Sequence, residues 1–137
     1  MTVPLSDLAQ LLRSMAPRLN PGRFVFVTVS DPSLLDVGQL IATVREPGGL
    51  SVVVPEAEAL RLGWPEAPAF AWITLMVRSD LQAVGLTAAF ATALGREGIS
   101  CNVVAGFSHD HIFVPWAQAG AAMAALRALE QGVGEKA

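Results

Sequence analysis

The chain holds a single cysteine, Cys101, so no disulfide can form within it. That fits a reducing, cytoplasmic setting. Charge is also scarce: 15% of the 137 residues are charged, against 53% hydrophobic, and the net charge is −3. Disorder needs the opposite balance. The basic residues form no stripe or cluster, which argues against a nucleic-acid backbone as partner. Trp64, Trp72 and Trp116 are not interleaved with basic residues either, so they read as core or interface rather than as platforms for stacking bases. The amino terminus lacks a basic stretch followed by an apolar core, so no secretory signal is read there. The most apolar segment, residues 111–126, contains Pro115 and Gln118 and is too short to cross a bilayer. The expectation is a soluble cytoplasmic protein with neither nucleic acid nor membrane as partner.

What is present is enough apolar material for one compact core, or for two small lobes. Leu5, Leu8, Leu11, Leu12 and Met15 recur at helical steps, with Ser6 or Asp7 as cap and Pro17 as stop. Asn20-Pro21-Gly22 reads as a turn. Residues 24–29 form a β-branched and aromatic strand, broken by Asp31-Pro32-Ser33. Residues 40–44 and 50–54 read as two strands joined by a tight Pro47-Gly48-Gly49 connection, and Pro55 opens a short helix. A Pro-rich connector follows at residues 63–69, and the boundary between lobes is placed there, giving 1–64 and 65–137.

Residues 70–77 form a strong strand. Ser79-Asp80-Leu81-Gln82 has capping-box spacing and predicts a helix that buries Leu86, Phe90 and Leu94 and stops at Gly98. Strands at 99–105 and 111–114 flank a Gly106-Phe107-Ser108 turn. Pro115 starts a last helix with Ala119, Ala122, Met123, Leu126 and Leu129 on its apolar face. The halves repeat in order of elements rather than in letters. The simplest architecture is α+β, two ferredoxin-like lobes of βαββαβ type with antiparallel sheets and helices on one face, in which each lobe's missing final strand could come from the other.

Candidate chemistry is thin. His109 and His111 share a strand face, and Cys101 lies on the neighbouring strand, but zinc needs a further ligand of the right type. The pair reads as a polar strand end, and no metal is expected. Cys101 as a nucleophile would need a base and an orienting group; a small buried thiol is the plainer reading. The carboxylates are scattered, and nothing has the spacing of a phosphate loop, a dinucleotide fingerprint or a nucleophile elbow, so neither catalysis nor a cofactor is expected. Gly85 is more informative. In the first turns of a helix, glycine costs about 1 kcal/mol relative to alanine. Either close helix packing or the approach of a ligand carboxylate to free N–H groups would explain its presence.

The string WITLMVRSDLQAVGLTAA at 72–89 resembles the signature of a bacterial family of ACT-domain proteins. The likeness continues through GISCNVVAGF at 98–107 and HDHIFVP at 109–115. FVFVTV at 24–29, with Arg45-Glu46 and Gly49-Leu50, resembles that family's amino-terminal ACT-like lobe. The second half is also similar to the ACT domains of eukaryotic cytosolic arginine sensors. The resemblance implies that an amino acid or similar small effector is held by the backbone of Val84, Gly85 and Leu86. It places Ser79 and Asp80 at the strand-to-helix turn, and Gly106, Phe107 and Asp110 at the hairpin. Asp80 stands where the bacterial family more often has serine, and Ala83 where the arginine sensors have an acidic residue, so arginine itself is not implied. A non-catalytic regulatory or sensor module, acting as a homodimer, is the expected function. The competing readings are a structural or interaction module without ligand, and a small enzyme using Cys101 or the histidine pair.

Overall fold

A computed structural model describes residues 7–132. The chain divides into two compact units. One is Pro21–Phe70; the other joins the chain up to Asn20 with Ala71 onward.

In the Pro21–Phe70 unit, the later part of β1 (Pro17–Val29), β2 (Ala42–Glu46) and β3 (Gly49–Pro55) form a sheet in the order β2–β3–β1, with β3 in the middle. β3 runs antiparallel to β1, from Phe24 opposite Pro55 to Val29 opposite Leu50. β2 closes onto β3 with Glu46 opposite Gly49, so Pro47 and Gly48 alone make the hairpin loop. Gly49 sits at φ +140°, and a Cβ there would lie 2.9 Å from the Val29 carbonyl oxygen, so glycine is required on both counts. Period-two alternation sends Val25, Val27, Val29, Val52 and Val54 to one face, under Ala59 of helix α2 (Glu56–Arg61). Glu58, buried on that helix, is held by the Arg61 guanidinium, which also donates to the Leu34 carbonyl at 2.7 Å. Two single 3-10 turns, Pro32–Leu34 and Val37–Gln39, stand between β1 and β2 where the other unit has a full helix.

The second unit has the order β1–β4–β6–β5, with β4 (Phe70–Leu75), β5 (Asn102–Ala105) and β6 (Asp110–Pro115). Its fourth strand comes from the beginning of the chain. Met76 and Val77 donate backbone hydrogen bonds to Ala16 and Met15, and the Asn20 amide reaches the Trp72 carbonyl at 3.2 Å. Helices α1 (Leu8–Arg13), α3 (Leu86–Arg96) and α4 (Ala119–Gly132) supply Leu11, Phe90, Leu94, Met123 and Leu126 to one core, which the sheet completes with Ile73, Leu75, Ile112 and Val114. Fully burying each such side chain contributes roughly 1.5–3 kcal/mol. Trp72, Thr74, His111 and Phe113 alternate with these and lie on the opposite face.

Each unit is thus α+β with an antiparallel sheet and helices, as expected of ferredoxin-like lobes. Three local expectations fail. Asn20-Pro21-Gly22 is not a turn but the middle of a thirteen-residue strand. Gly22, at φ +108°, absorbs the irregularity that proline introduces, and pairing with distant residues carries the strand through. Ser79-Asp80-Leu81-Gln82 does not start a helix: Asp80 accepts from Gln82 N–H at 2.8 Å and closes a local turn instead. Gly85 is accordingly the residue before α3, not one inside it, and its φ of +105° is why glycine stands there. Leu5 and Ser6 of the expected first helix lie outside the described residues; Asp7 is its cap, accepting from Ala9 N–H at 2.9 Å. Among the described residues, no helix is long and apolar enough to cross a membrane.

Candidate functional site

The sequence-predicted site residues all fall in the unit built from the chain start and Ala71 onward, on two segments. The first leaves β4 and returns as α3. Within it, Ala83 N–H donates to the Asp80 carbonyl, Val84 is 83% exposed, and Gly85 turns the chain into the helix. No side chain caps α3, and its first intrahelical bond runs from Ala89 N–H to the Gly85 carbonyl. The leading N–H groups therefore have no partner within the helix, and the dipole places partial positive charge there. Leu86 is a core residue, 4% exposed, so only its backbone faces this end of the helix.

The second segment is the turn between β5 and β6. Gly106 N–H donates to the His109 carbonyl at 2.9 Å, and Ala105 stands opposite Asp110. Phe107 projects from the turn, 82% exposed. Gly106 is required by proximity, since a Cβ there would meet the His109 carbonyl oxygen at 2.9 Å. Burial pushes the Asp110 carboxyl above its ordinary value, against the opposing pull of His111 and His109.

The two segments are stitched together. Ser79 N–H donates to the Ser108 carbonyl at 3.3 Å, and Arg78 Nη2 reaches Ser108 Oγ at 3.4 Å. The helix-start loop and the hairpin turn thus meet one residue from Phe107. Asp80 satisfies its own turn, so Ser79 makes the join through its backbone. Sequence reading passed over Arg78, Ser108 and Leu8. Leu8 lies against Gly85, and nothing local in the letters links a residue on the opening helix to one so far along the chain.

His109 falls in the turn before β6 and not on the strand with His111, so the two do not share a strand face. His111 Nδ1 is occupied by Trp72 and Thr74, and among the described residues no three His, Cys, Asp or Glu side chains gather as ligands. Burial pushes the Cys101 thiol up, opposite to what an activated nucleophile needs.

On this ferredoxin-like unit the glycine-led helix start and the hairpin turn lie side by side. Comparison with known families gives that layout its place: the ACT domain matches residues 4–71 and, a second time, residues 70–128. A solved protein of unknown function from Vibrio cholerae, described as a possible transport protein, is 46% identical, with a TM-score of 0.77 over 86% of this chain and 92% of that one. The chain belongs to the ACT-domain family and carries two ACT domains in tandem. Its fold is shared with a protein from Agrobacterium tumefaciens at 17% identity, TM-score 0.63, covering 83% of this chain and 87% of that one. It is shared also with the regulatory subunit of aspartate kinase from Thermus thermophilus, solved ligand-free, at 14% identity and TM-score 0.62, covering 84% and 96%. No curated protein matches.

Proposed function

We propose that this chain is a regulatory module that binds an amino acid, or an effector of that kind, and has no catalytic activity of its own. One observation carries the reading: the uncapped start of α3, led by Gly85, is tied through Ser79 and Ser108 to the turn that holds Gly106, Phe107 and Asp110. Free N–H groups at a helix start suit a carboxylate, worth about 0.3–1 kcal/mol from the dipole when exposed and up to ~2 when partly buried. Asp110 is a half-buried carboxyl whose ionised form would gain most from a cationic group, so the pair would recognise the two ends of an amino acid. Membership in the ACT family, and a fold shared with a regulatory subunit, agree with this reading.

The output would be a change of assembly or partner. A homodimer in the cytoplasm is the form proposed. The exposed Leu81, Val84 and Phe107 beside the site, and β5 at the edge of its sheet, supply surface for pairing. A thermal-shift screen with the twenty amino acids tests the reading. A bound effector raises the melting temperature by mass action, by an amount that grows with its concentration. No shift from any of them would favour an interaction module without ligand.

A further inference from the structure

The hydrogen bonds at His111 Nδ1 come from β4, while the far edge of the same ring meets the hairpin turn. The Trp72 indole N–H donates to Nδ1 at 3.0 Å. An indole nitrogen can only donate, so Nδ1 must be bare and the neutral imidazole carries its proton on Nε2. The Thr74 hydroxyl lies 3.2 Å from the same nitrogen and accepts from the Asn20 amide at 2.9 Å, which leaves its own proton to point at Nδ1. Asn20 also donates to the Trp72 carbonyl. Thr74 is 4% exposed, so this chain of bonds is satisfied in low-dielectric surroundings where breaking it is costly. On the other edge, a methyl group at Gly106 would sit 3.3 Å from His111 Nε2. The turn that closes from Gly106 N–H to the His109 carbonyl therefore rests directly against the imidazole.

We propose that His111 is a positioning residue for this turn: neutral, it holds residues 106–109 in the arrangement that takes an amino acid, and a proton added at Nδ1 displaces the turn and weakens binding. The inference rests on the reading of the site given above. A proton at Nδ1 faces a donor that cannot reverse, the Trp72 N–H, although Thr74 can rotate its hydroxyl. The ring must move off Trp72, and its Nε2 edge then presses on Gly106, where even a methyl group would be crowded.

The charges that act on the ring are few. Asp110 on β6 favours the proton, and His109 in the turn opposes it. β4 and β1 present the uncharged Trp72, Thr74 and Asn20, and Val104 stands opposite on β5. Burial outweighs Asp110 and, with His109, lowers the proton affinity of His111 below the ordinary histidine value. The holding form is therefore the one present at neutral pH.

The test uses the full chain, labelled with nitrogen-15 and acidified from about pH 8 to about pH 5, the range in which histidine side chains change charge. The expected result is a bare Nδ1 at neutral pH. The Gly106 and Phe107 amides and the Trp72 indole should then move together at the His111 midpoint. His109→Gln should keep that behaviour, His111→Gln should abolish the movement of the two amides, and Trp72→Phe should raise the midpoint. Turn amides that ignore the His111 midpoint, or follow that of His109, would overturn the proposal.

A second arm titrates each of the twenty amino acids against the protein. Any that binds should weaken by about tenfold per pH unit below the His111 midpoint, the slope for one linked proton, and His111→Gln should flatten that slope. An affinity indifferent to pH in the parent protein overturns the coupling. Binding by none of the twenty sinks the reading of the site itself, while the resonance shifts still decide whether His111 holds the turn.

Discussion

Leu8 and Gly85 are in contact: a Cβ built on Gly85 would lie 2.9 Å from Leu8 Cδ2. The opening helix thus braces the residue that turns the chain into α3, and Gly85 does so at φ +105°. Two effects would punish a side chain there, and they differ in kind. Leu8 is 38% exposed and its methyl groups can swing aside, whereas the backbone conformation cannot relax without moving the helix start. Gly85→Ala should therefore destabilise the protein by roughly 1–2 kcal/mol, the cost of a non-glycine residue in left-handed backbone. Denaturant unfolding of Gly85→Ala in a Leu8→Ala background separates the effects. Most of the loss should persist when Leu8 is trimmed.

Phe90 and Val84 make a complementary pair of tests. Phe90 is fully buried in the core beneath α3, and Phe90→Ala should cost about 3–5 kcal/mol in urea unfolding. Val84 is 83% exposed on the loop before the helix, and Val84→Ala should change stability by no more than about 0.5 kcal/mol. A lowered amino-acid affinity in Val84→Ala can then be ascribed to the site.

One amino acid per chain is the expected stoichiometry, although the chain holds two ACT domains. In the Pro21–Phe70 unit, the turns after β1 are capped by their own carboxylates: Asp31 accepts from Ser33 N–H and Asp36 from Gly38 N–H, both at 3.0 Å. Ser33 also holds the Asp31 carboxyl below its ordinary value, so it stays ionised. The N–H groups a ligand carboxylate would need are taken, and a second anion would be repelled. Calorimetric titration should give one site, and two equal sites per chain would contradict this.

Asp110 should leave a mark on the pH dependence of stability. Burial raises its folded value above the unfolded 3.8, so the folded state binds the proton more tightly. Its contribution is present below 3.8 and is lost as pH rises through the raised folded value. Asp110→Asn removes that loss. Urea unfolding across this window should show the variant gaining stability relative to the parent as pH rises, and a relative loss would contradict the direction assigned.

Much of this architecture is legible in the letters because local signals and tertiary demands agree. The valine alternation at 25, 27 and 29, the Pro47-Gly48 loop, and the apolar spacing of Leu86, Phe90 and Leu94 each point to what they become. Reading fails where partners lie far apart. Asn20-Pro21-Gly22 has every local mark of a turn, yet β1 continues through it because Asn20 and Ala16 bond to Trp72 and Met76. Ser79 to Gln82 has capping-box letters, yet the hairpin turn claims the Ser79 N–H, and Asp80 caps a turn of its own. Of the candidate site, the strand-to-helix glycine and the hairpin are visible in sequence. The join between them at Ser108 is not, since it depends on strand register.

We place the proposed amino acid between the start of α3 and the β5–β6 turn. The most direct measurement is an amide resonance map of the full chain with each of the twenty amino acids added in turn. One, or a chemically related few, should shift the amides of Val84, Gly85, Leu86, Gly106 and Phe107 together, and Asp110→Ala should weaken the response. Shifts confined to the Pro21–Phe70 unit, or no shift from any of the twenty, would contradict it.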